Sequence, residues 1–538
     1  MYPRNGIVSR LISISKSPVQ SRSFATIRPQ QRQSNPVSLL GIGCRRQDVR
    51  GMNQRSFSSL FYARPTLQTR EFPHFTPSYP NYFYPSRYWA STDAAASSRP
   101  AVFLTKDGGA RDAKGAKEYT VDDLPSKAVS RWLFLCAGLT LGVIIVGAVT
   151  RLTESGLSIT EWKPVTGVIP PLSDAAWKEE FDKYRETPEF KLYVVRFVWL
   201  SLGKHSLFVY NRLNSKMTVD EFKSIFYMEW GHRILGRTIG LVFLVPYTYF
   251  LVKRRLPGPI AAKLGGLGLL LGFQGALGWY MVKSGLDQQI VETGSVPRVS
   301  QYRLAAHLGA AFLFFMGTLR LGLSTKKDLQ WANIGLVNGM GDPFVTVLQD
   351  PRIKRFKFAG AALLALSFVT AISGAFVAGL DAGLIYNEFP FMGDGLMPPK
   401  NELFSPKYSR RVDETDKWWR NMLENPVTAQ FDHRLLATTT YFGTALLYGV
   451  SRAPSLRTLL PPLTKHLIGA SFVMVNIQAA LGIATLLYLV PVHLAATHQA
   501  GSVLLLTTVL ALLTSLRRPS SIATAVRLAN KRAMTFLH

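Results

Sequence analysis

Runs of roughly 20 apolar residues constrain this 538-residue chain more than any other feature of its sequence. A helix of that length spans the hydrocarbon core of a bilayer, and only helices or closed barrels satisfy their backbone hydrogen bonds in lipid. The runs are too long and too evenly apolar to be barrel strands. The sequence therefore predicts an all-α polytopic membrane protein with eight transmembrane helices. They lie near residues 131–150, 232–252, 261–282, 303–324, 358–379, 432–450, 466–489 and 493–516.

The first 90 residues have the composition of a mitochondrial transit peptide followed by a disordered leader. Residues 1–70 contain eleven arginines, a single acidic residue, Asp48, and no long apolar segment that would indicate a secretory signal. A disordered basic tail without an address is the alternative. The multispanning segment that follows favours the transit peptide. Residues 91–127 are interpreted as a poorly structured approach on the matrix side of the membrane.

The net charge of +29 is concentrated in the leader and in alternate loops, so it indicates membrane orientation and not a nucleic-acid partner. The loops after the second, fourth and sixth runs are basic, and so is the C-terminal tail, 517–538. Residues 151–229 and 380–430 carry at least as many acidic as basic residues. The positive-inside rule then places both termini in the matrix and the two long loops in the intermembrane space. The predicted location is the mitochondrial inner membrane.

An internal repeat divides the spans into two tandem, pseudo-symmetric four-helix bundles. The segment ESGL at 154–157 returns 227 residues later as DAGL at 381–384. The segment HRIL at 232–235 returns as HRLL at 433–436. Coincidence between apolar helices explains one such match but not several in the same order. The predicted organisation is an N-terminal bundle over 128–325, a matrix linker over 326–357 and a C-terminal bundle over 358–516.

Four histidines stand at one depth in this repeat. His232 lies 21 residues before the basic residue at the matrix end of its run, and His307, His433 and His498 lie 19 residues before theirs. Each bundle therefore offers two imidazoles at matching height, which suits the axial ligation of a heme. A lone membrane histidine is more often a polar contact between helices, but four at equal depth favour two hemes. The other histidines lack this pattern: His74, His205, His466, His493 and His538.

Charged residues beside these histidines differ between the two bundles. Arg233 and Arg434 each follow a histidine, and a heme propionate or a lipid phosphate would partner them. Glu229 stands one turn before the first histidine, whereas the C-terminal bundle has Gln430 there. A carboxyl beside a porphyrin can move a proton or stabilise positive charge. We therefore predict a catalytic N-terminal site and a resident heme in the C-terminal bundle. A surface acid paired with Arg233 or Arg237 is the alternative for Glu229.

Residues 130–516 resemble the mitochondrial heme A synthase family, which oxidises a methyl group of heme O to a formyl group and so supplies heme A for cytochrome c oxidase. The resemblance implies Glu229 as the catalytic glutamate and His232, His307, His433 and His498 as the heme-iron ligands. It also implies heme O as substrate in the N-terminal bundle and heme b as cofactor in the C-terminal one. The likeness rests on TRLTESGLSITEWKPVTGVIPPL from Thr150, EWGHRILGR from Glu229, QGALGWYMVKSGL from Gln274, GLDAGLIYNEFPFMGDGLMP from Gly379, NPVTAQFDHR from Asn425 and HQAGS from His498.

The same resemblance implies a water-dependent oxidation in which Glu229 assists the addition of water to the activated methyl carbon or removes its proton. The implied partners are heme O synthase, a ferredoxin-type electron-transfer protein and the lipid bilayer, with a homo-oligomer left open. Many bacterial members carry a cysteine pair in the first external loop; residues 151–229 contain none, which excludes a thiol–disulfide role there.

Two other classes of protein would use some of these features. A di-heme electron carrier of the cytochrome b type would need the same four histidines but not Glu229, and it stays the alternative. A heme transporter would need a site that opens to both sides of the membrane, and four ligands at one face argue against it.

Overall fold

The computed structural model describes residues 103–104, 110–111, 119–163, 166–187, 189–190, 217–286 and 299–536. The predicted transit peptide, and with it His74, His205 and His538, lies outside these residues. Strands β1 (Phe103–Leu104) and β2 (Ala110–Arg111) form a short antiparallel pair in the predicted approach segment. The described residues otherwise form fourteen α-helices: α1 Lys127–Leu152, α2 Asp174–Arg185, α3 Val219–Val252, α4 Gly258–Gly285, α5 Gln301–Ile334, α6 Pro343–Val347, α7 Pro351–Gly379, α8 Lys400–Leu403, α9 Lys417–Glu424, α10 Pro426–Arg452, α11 Pro454–Arg457, α12 Pro462–Leu487, α13 Val492–Ser515 and α14 Ser521–Phe536.

Seven of these helices are long and apolar enough to cross a membrane, namely α1, α3, α4, α5, α7, α12 and α13. The prediction of an all-α polytopic membrane protein is confirmed. The remaining predicted span, 432–450, corresponds to α10, which has sufficient length but carries Gln430, Asp432, His433 and Arg434 near its start. These polar residues make α10 less apolar than the other seven, so the count of eight spans stays a prediction.

The second membrane helix starts earlier than its apolar run predicted. A capping box begins α3 at Thr218, whose hydroxyl accepts from Glu221 N while the Glu221 carboxylate accepts from Thr218 N. Val219 lies about three and a half turns before His232. Glu229 and His232 are therefore inside a continuous helix and not at its mouth. The apolar run marks only the part of a helix suited to lipid, whereas caps set where the helix begins.

The predicted matrix linker is shorter than 326–357 and partly helical. Helix α5 continues to Ile334 and ends at Gly335, which adopts the left-handed conformation with φ of 66°. Helix α7 begins at Pro351, where the Asp350 side chain accepts from Arg352 N. Only residues 335–350 connect the two long helices, and they include α6.

The long helices form two bundles with the same internal arrangement. In the N-terminal bundle, α1 and α4 each pack against both α3 and α5. In the C-terminal bundle, α7 and α12 each pack against both α10 and α13. Helices α3 and α5 therefore occupy opposite corners of one bundle, and α10 and α13 occupy opposite corners of the other. The tandem bundles that the repeat predicted have this layout.

The two bundles share an apolar interface. Helix α1 packs against α13, and α5 packs against both α7 and α13. The core of this interface contains Ile144, Phe312 and Phe315 together with Val503 and Leu506. Burial of these side chains holds the bundles together as one structural unit.

Polar contacts lie at both ends of this interface. At one end, Arg151 Nη2 donates to the carbonyl of Ala378 at 2.8 Å and to Asp381 Oδ1 at 2.9 Å. At the other end, Lys327 Nζ donates to the carbonyls of Thr514 and Ser515. Both carbonyls belong to the last turn of α13, so the lysine caps that helix.

The predicted basic tail, 517–538, is largely helical. Helix α14 packs against α5. The guanidinium of Arg527 pairs with Asp342 and lies over the ring of Trp331, 4.2 Å from its centroid. These contacts fix a segment whose sequence indicated only positive charge.

Candidate functional site

His232 and His307 of the N-terminal bundle each face a glycine on a neighbouring helix. A Cβ on Gly147 of α1 would lie 2.8 Å from His232 Nε2, and one on Gly278 of α4 would lie 3.2 Å from His307 Cε1. The two imidazoles are close enough to interact electrostatically. Because α3 and α5 occupy opposite corners, the two rings approach each other across the interior of the bundle.

His433 and His498 repeat this arrangement in the C-terminal bundle. A Cβ on Gly374 of α7 would lie 3.2 Å from His433 Cε1, and one on Gly482 of α12 would lie 2.8 Å from His498 Cε1. These two imidazoles also interact electrostatically. In both bundles the histidines lie in the first half of their helices and the glycines near the ends of adjacent helices, so all four rings lie towards the same end of the bundles.

The paired imidazoles suit an iron that brings its own macrocycle. The described residues contain no group of three or more His, Cys, Asp or Glu side chains that could hold a bare metal ion. A heme iron needs only two axial ligands from the protein. The four glycines keep the space beside each ring free of side-chain atoms. Each bundle therefore fits a heme with one histidine on each face.

A hydrogen bond orients the imidazole of His433 in the C-terminal bundle. His433 Nδ1 lies 2.8 Å from Ser373 Oγ, and the Ser373 hydroxyl donates to the carbonyl of Thr370 at 2.7 Å. Because the single hydroxyl proton points to that carbonyl, the imidazole donates Nδ1–H to Ser373 and leaves Nε2 free to bind a metal. Nδ1 of His498 is buried and has no hydrogen-bond partner among the described residues.

In each bundle a glutamine side chain donates a hydrogen bond to the backbone carbonyl of one paired histidine. Gln274 Nε2 donates to the carbonyl of His307 at 2.9 Å, and Gln478 Nε2 donates to the carbonyl of His498 at 2.8 Å. Sequence reasoning missed both glutamines and all four glycines. The repeat carried the signal, since residues 274 and 478 and residues 278 and 482 are each 204 positions apart.

Replacing Gly482 with alanine tests the room that these glycines keep. We expect the new methyl group, 2.8 Å from His498 Cε1, to displace the imidazole and weaken heme binding in the C-terminal bundle about 10–100-fold. Gly469→Ala on the same helix is the matched control, because a Cβ there meets no atom within 4 Å. The measurement is heme per purified protein from the absorbance of the pyridine hemochrome. Equal heme content in both variants would contradict the expectation.

Glu229 is buried, with 3 % of its surface exposed, and it fastens the first loop to α3. Its Oε2 accepts from Ser158 Oγ at 2.7 Å and from Ile159 N at 2.8 Å. Its Oε1 accepts from Arg233 Nε at 3.0 Å and from Arg233 Nη2 at 2.6 Å. Four donors thus converge on one carboxylate. The alternative that Glu229 is a surface acid is wrong, because the residue is buried. The pairing with Arg233 that this alternative predicted is present.

The equivalent position of the C-terminal bundle keeps the geometry without the charge. Gln430 Nε2 donates to the carbonyls of Ala382 and Ile385, at 2.9 and 2.6 Å. Arg434 Nη2 donates to Gln430 Oε1 at 3.3 Å and to the carbonyl of Tyr386 at 2.7 Å. The two bundles therefore share a loop-to-helix clamp at this position, and only the N-terminal clamp contains a carboxylate.

Both arginines with a predicted propionate contact have protein partners. Besides Glu229, Arg233 donates to the carbonyls of Ile159 and Glu161, at 2.9 and 3.1 Å. Arg434 Nη1 donates to the carbonyl of Phe391 at 3.1 Å. The propionate contacts stay a prediction, and these guanidiniums also bind the loops that cover each site.

Sequence reasoning missed a further carboxyl group, that of Glu189. This residue is 5 % exposed, and its Oε2 has no hydrogen-bond partner among the described residues. Burial, with the charges of Glu154 and Glu229, raises the pKa of Glu189 well above its usual range, while Arg151 acts in the opposite direction. The residue lies outside the segments matched in the repeat, so no pattern in the sequence indicated it.

Comparison with known proteins identifies the family. Residues 130–510, which include Glu229 and all four paired histidines, match the family model described as COX15-CtaA, cytochrome oxidase assembly protein. The chain belongs to the COX15-CtaA family. The family predicted from the sequence motifs is thereby confirmed.

Three relatives show how far the similarity to this COX15-CtaA chain extends. Heme A synthase COX15 of Saccharomyces cerevisiae is 45% identical over 395 residues, which cover 73% of this chain and 76% of the yeast protein. Heme A synthase COX15 of Homo sapiens is 42% identical over 399 residues, covering 73% and 85%. The heme A synthase-mitochondrial ferredoxin fusion protein of Schizosaccharomyces pombe is 45% identical over 395 residues, covering 73% and 60%. The similarity covers the membrane part.

Proposed function

We propose that this protein is a mitochondrial heme A synthase, an oxidoreductase that converts a methyl group of heme O to the formyl group of heme A. Family membership and the named relatives support the activity. The observation that carries the assignment to the residues is the pair of matching histidine sites, of which the N-terminal one has a carboxylate, Glu229, at the clamp position where the other has Gln430. A di-heme electron carrier would use both sites alike and would have no need of that difference.

The two sites have different roles in this proposal. Heme O binds between His232 and His307, beside Glu229, and heme b binds between His433 and His498. When bound, heme b supplies a one-electron redox centre inside the same structural unit. The amide of Gln430 supports this division, because it leaves the C-terminal clamp without the carboxylate that the N-terminal clamp contains.

Glu229 acts in the proposal through its charge. Its four hydrogen bonds occupy the positions at which the carboxylate would accept a proton. Preorganised charge in a water-poor site is the most effective means of stabilising charge that develops during a reaction. Of the two roles predicted for a carboxyl beside a porphyrin, the geometry favours stabilisation of positive charge on the substrate over general base catalysis.

The proposed partners follow from the chemistry of an oxidation. A one-electron carrier must exchange electrons with the protein, and the fusion of a relative to a mitochondrial ferredoxin supports a ferredoxin-type partner. A heme O synthase must supply the substrate. A homo-oligomer and the arginine–propionate contacts belong to the proposal on the family resemblance alone.

Conversion of bound heme O decides between the two functions. Purified protein that carries heme b is loaded with heme O and supplied with a ferredoxin-type carrier, and the hemes are then extracted and separated by chromatography. A heme A synthase yields heme A, whereas a di-heme electron carrier returns heme O unchanged.

The proposed topology has both termini in the matrix and the histidine sites near the intermembrane space of the inner membrane. A protease-cleavable tag inserted at Val412, which is fully exposed, should be digested by added protease once the outer membrane is opened. A C-terminal tag is the control and should stay protected until the inner membrane is dissolved. Protection of the Val412 tag in mitoplasts would overturn the orientation.

A further inference from the structure

Glu189 lies where the first loop packs against the N-terminal bundle, because its neighbour Phe190 contacts the same apolar cluster as Ile159 and Trp230, which stand beside Glu229. Burial and the negative charges of Glu154 and Glu229 raise the pKa of Glu189. Arg151 is the one cation with a comparable effect among the described residues. The Arg151 guanidinium already donates to Asp381 of the C-terminal bundle at 2.9 Å. The cation that lowers the pKa of Glu189 is therefore also the partner of Asp381.

Aromatic packing holds Glu189 in this place. The next residue, Phe190, lies edge-on to Tyr184 and Phe181 of α2, with ring centroids 5.8 and 6.3 Å apart. Tyr184 stacks on Phe222 of α3 at 5.4 Å. Phe222 lies two helical turns before Glu229 on the same helix. The packing therefore joins the segment of Glu189 to the helix that carries the proposed charge-stabilising residue.

Glu189 and Glu229 have opposite environments. Glu229 accepts four hydrogen bonds, whereas Glu189 is equally buried and has no donor on Oε2 among the described residues. A buried carboxyl without donors is more stable as the neutral acid, which is the form that can give up a proton.

We propose that Glu189 is a proton carrier of the N-terminal site, which exchanges protons between the substrate site and the water of the loop side. The inference rests on the proposed function, because it requires chemistry in the N-terminal bundle. In each transfer an O–H bond forms at one carboxyl oxygen of Glu189 as the bond to the donor breaks, and no electrons move. Glu229 cannot carry a proton in this way without breaking its hydrogen bonds to Arg233 or to the first loop.

The C-terminal bundle has no equivalent cluster at its clamp. Asp381 corresponds to Glu154, but it pairs with Arg151, and Gln430 replaces Glu229. A resident cofactor that only exchanges electrons needs no proton carrier. The carboxyl cluster thus follows the same division between the bundles as Glu229.

Glu189→Gln tests the proposal, with Glu186→Gln as the matched control because Glu186 is exposed on the same loop. Both variants are purified with their hemes. We expect the rate of heme A formation to fall about 10²-fold or more in Glu189→Gln. We also expect the pH profile of that rate to lose the step that reports protonation of Glu189. We expect Glu189→Asp to restore part of the rate with a shifted pH profile. Glu186→Gln should match the wild type.

A second readout is independent of turnover. We expect the infrared spectrum of the wild type at neutral pH to contain the C=O stretch of a buried carboxylic acid, and Glu189→Gln to lack it. The folded pKa is raised, so the wild type loses stability as pH rises from the unfolded value of roughly 4.3 to the folded value. Thermal unfolding should show that Glu189→Gln removes this loss while Glu186→Gln keeps it.

Wild-type rates and an unchanged pH profile in Glu189→Gln would overturn the proposal, as would persistence of the acid band. Glu229→Gln, measured alongside, separates this failure from that of the proposed function. If Glu229→Gln blocks heme A formation and Glu189→Gln does not, only the proton carrier is rejected. If neither variant affects the rate, the N-terminal site itself is rejected. If the Glu189→Gln protein does not accumulate, Glu189→Asp is measured in its place. A wild-type pH profile in Glu189→Asp then rejects Glu189 as the proton carrier.

Discussion

Glu229→Gln should lower the rate of heme A formation by about 10²–10⁴-fold while the protein keeps its fold and both heme sites. The variant removes the charge and nearly preserves the shape. The new amide oxygen can face Arg233, as Gln430 Oε1 faces Arg434. The Ser158 hydroxyl can turn to donate to the carbonyl of Ile225, 3.3 Å away, and accept from the new amide. The measurement is chromatography of hemes from cells that also express heme O synthase.

The local cost of this substitution is small enough to separate charge from folding. Ile159 N loses its acceptor, which costs about 1–3 kcal/mol, and Arg233 loses its ion pair but keeps the carbonyls of Ile159 and Glu161 as acceptors. Ser158→Ala is the control, because it removes one hydrogen bond to Glu229 and keeps the carboxylate; we expect it to retain most activity. Gln430→Glu should not rescue Glu229→Gln, since the second carboxylate would face the carbonyls of Ala382 and Ile385. A near-normal rate in Glu229→Gln would make Glu229 a structural partner of Arg233.

Alanine variants of the four paired histidines should divide into two classes. His433→Ala and His498→Ala should deplete the resident heme b, because each removes one axial ligand of the same iron. His232→Ala and His307→Ala should keep heme b but bind and convert little heme O. Visible spectra and extracted heme per purified protein measure both effects.

Two histidines outside the pairs provide matched controls in the C-terminal bundle. His466 lies on α12 and His493 on α13, and both are exposed. We expect His466→Ala and His493→Ala to keep the heme content and spectra of the wild type. Low-spin spectra and full heme content in all four variants of the paired histidines would contradict the ligand assignment.

The sequence was sufficient to predict the fold class, the repeat and the family. Apolar length and the spacing of His232 from its basic anchor are local properties, because a helix advances 1.5 Å per residue whatever surrounds it. The contrast between Glu229 and Gln430 was visible once the two halves were aligned. Helix boundaries were less predictable. Capping at Thr218 and the packing of α14 extend helices beyond the runs that the membrane requires.

Only the tertiary structure decided what surrounds each of these residues. Gly147 faces His232 from 85 positions away in the chain, and Ser158 donates to Glu229 from 71 positions away. Burial of Glu189 depends on aromatic contacts between α2, the first loop and α3. The sequence by itself determined which residue types stand at which depth, since depth follows from helical rise. Their partners, burial and charge environment depend on contacts between distant segments, which form only when the bundles pack.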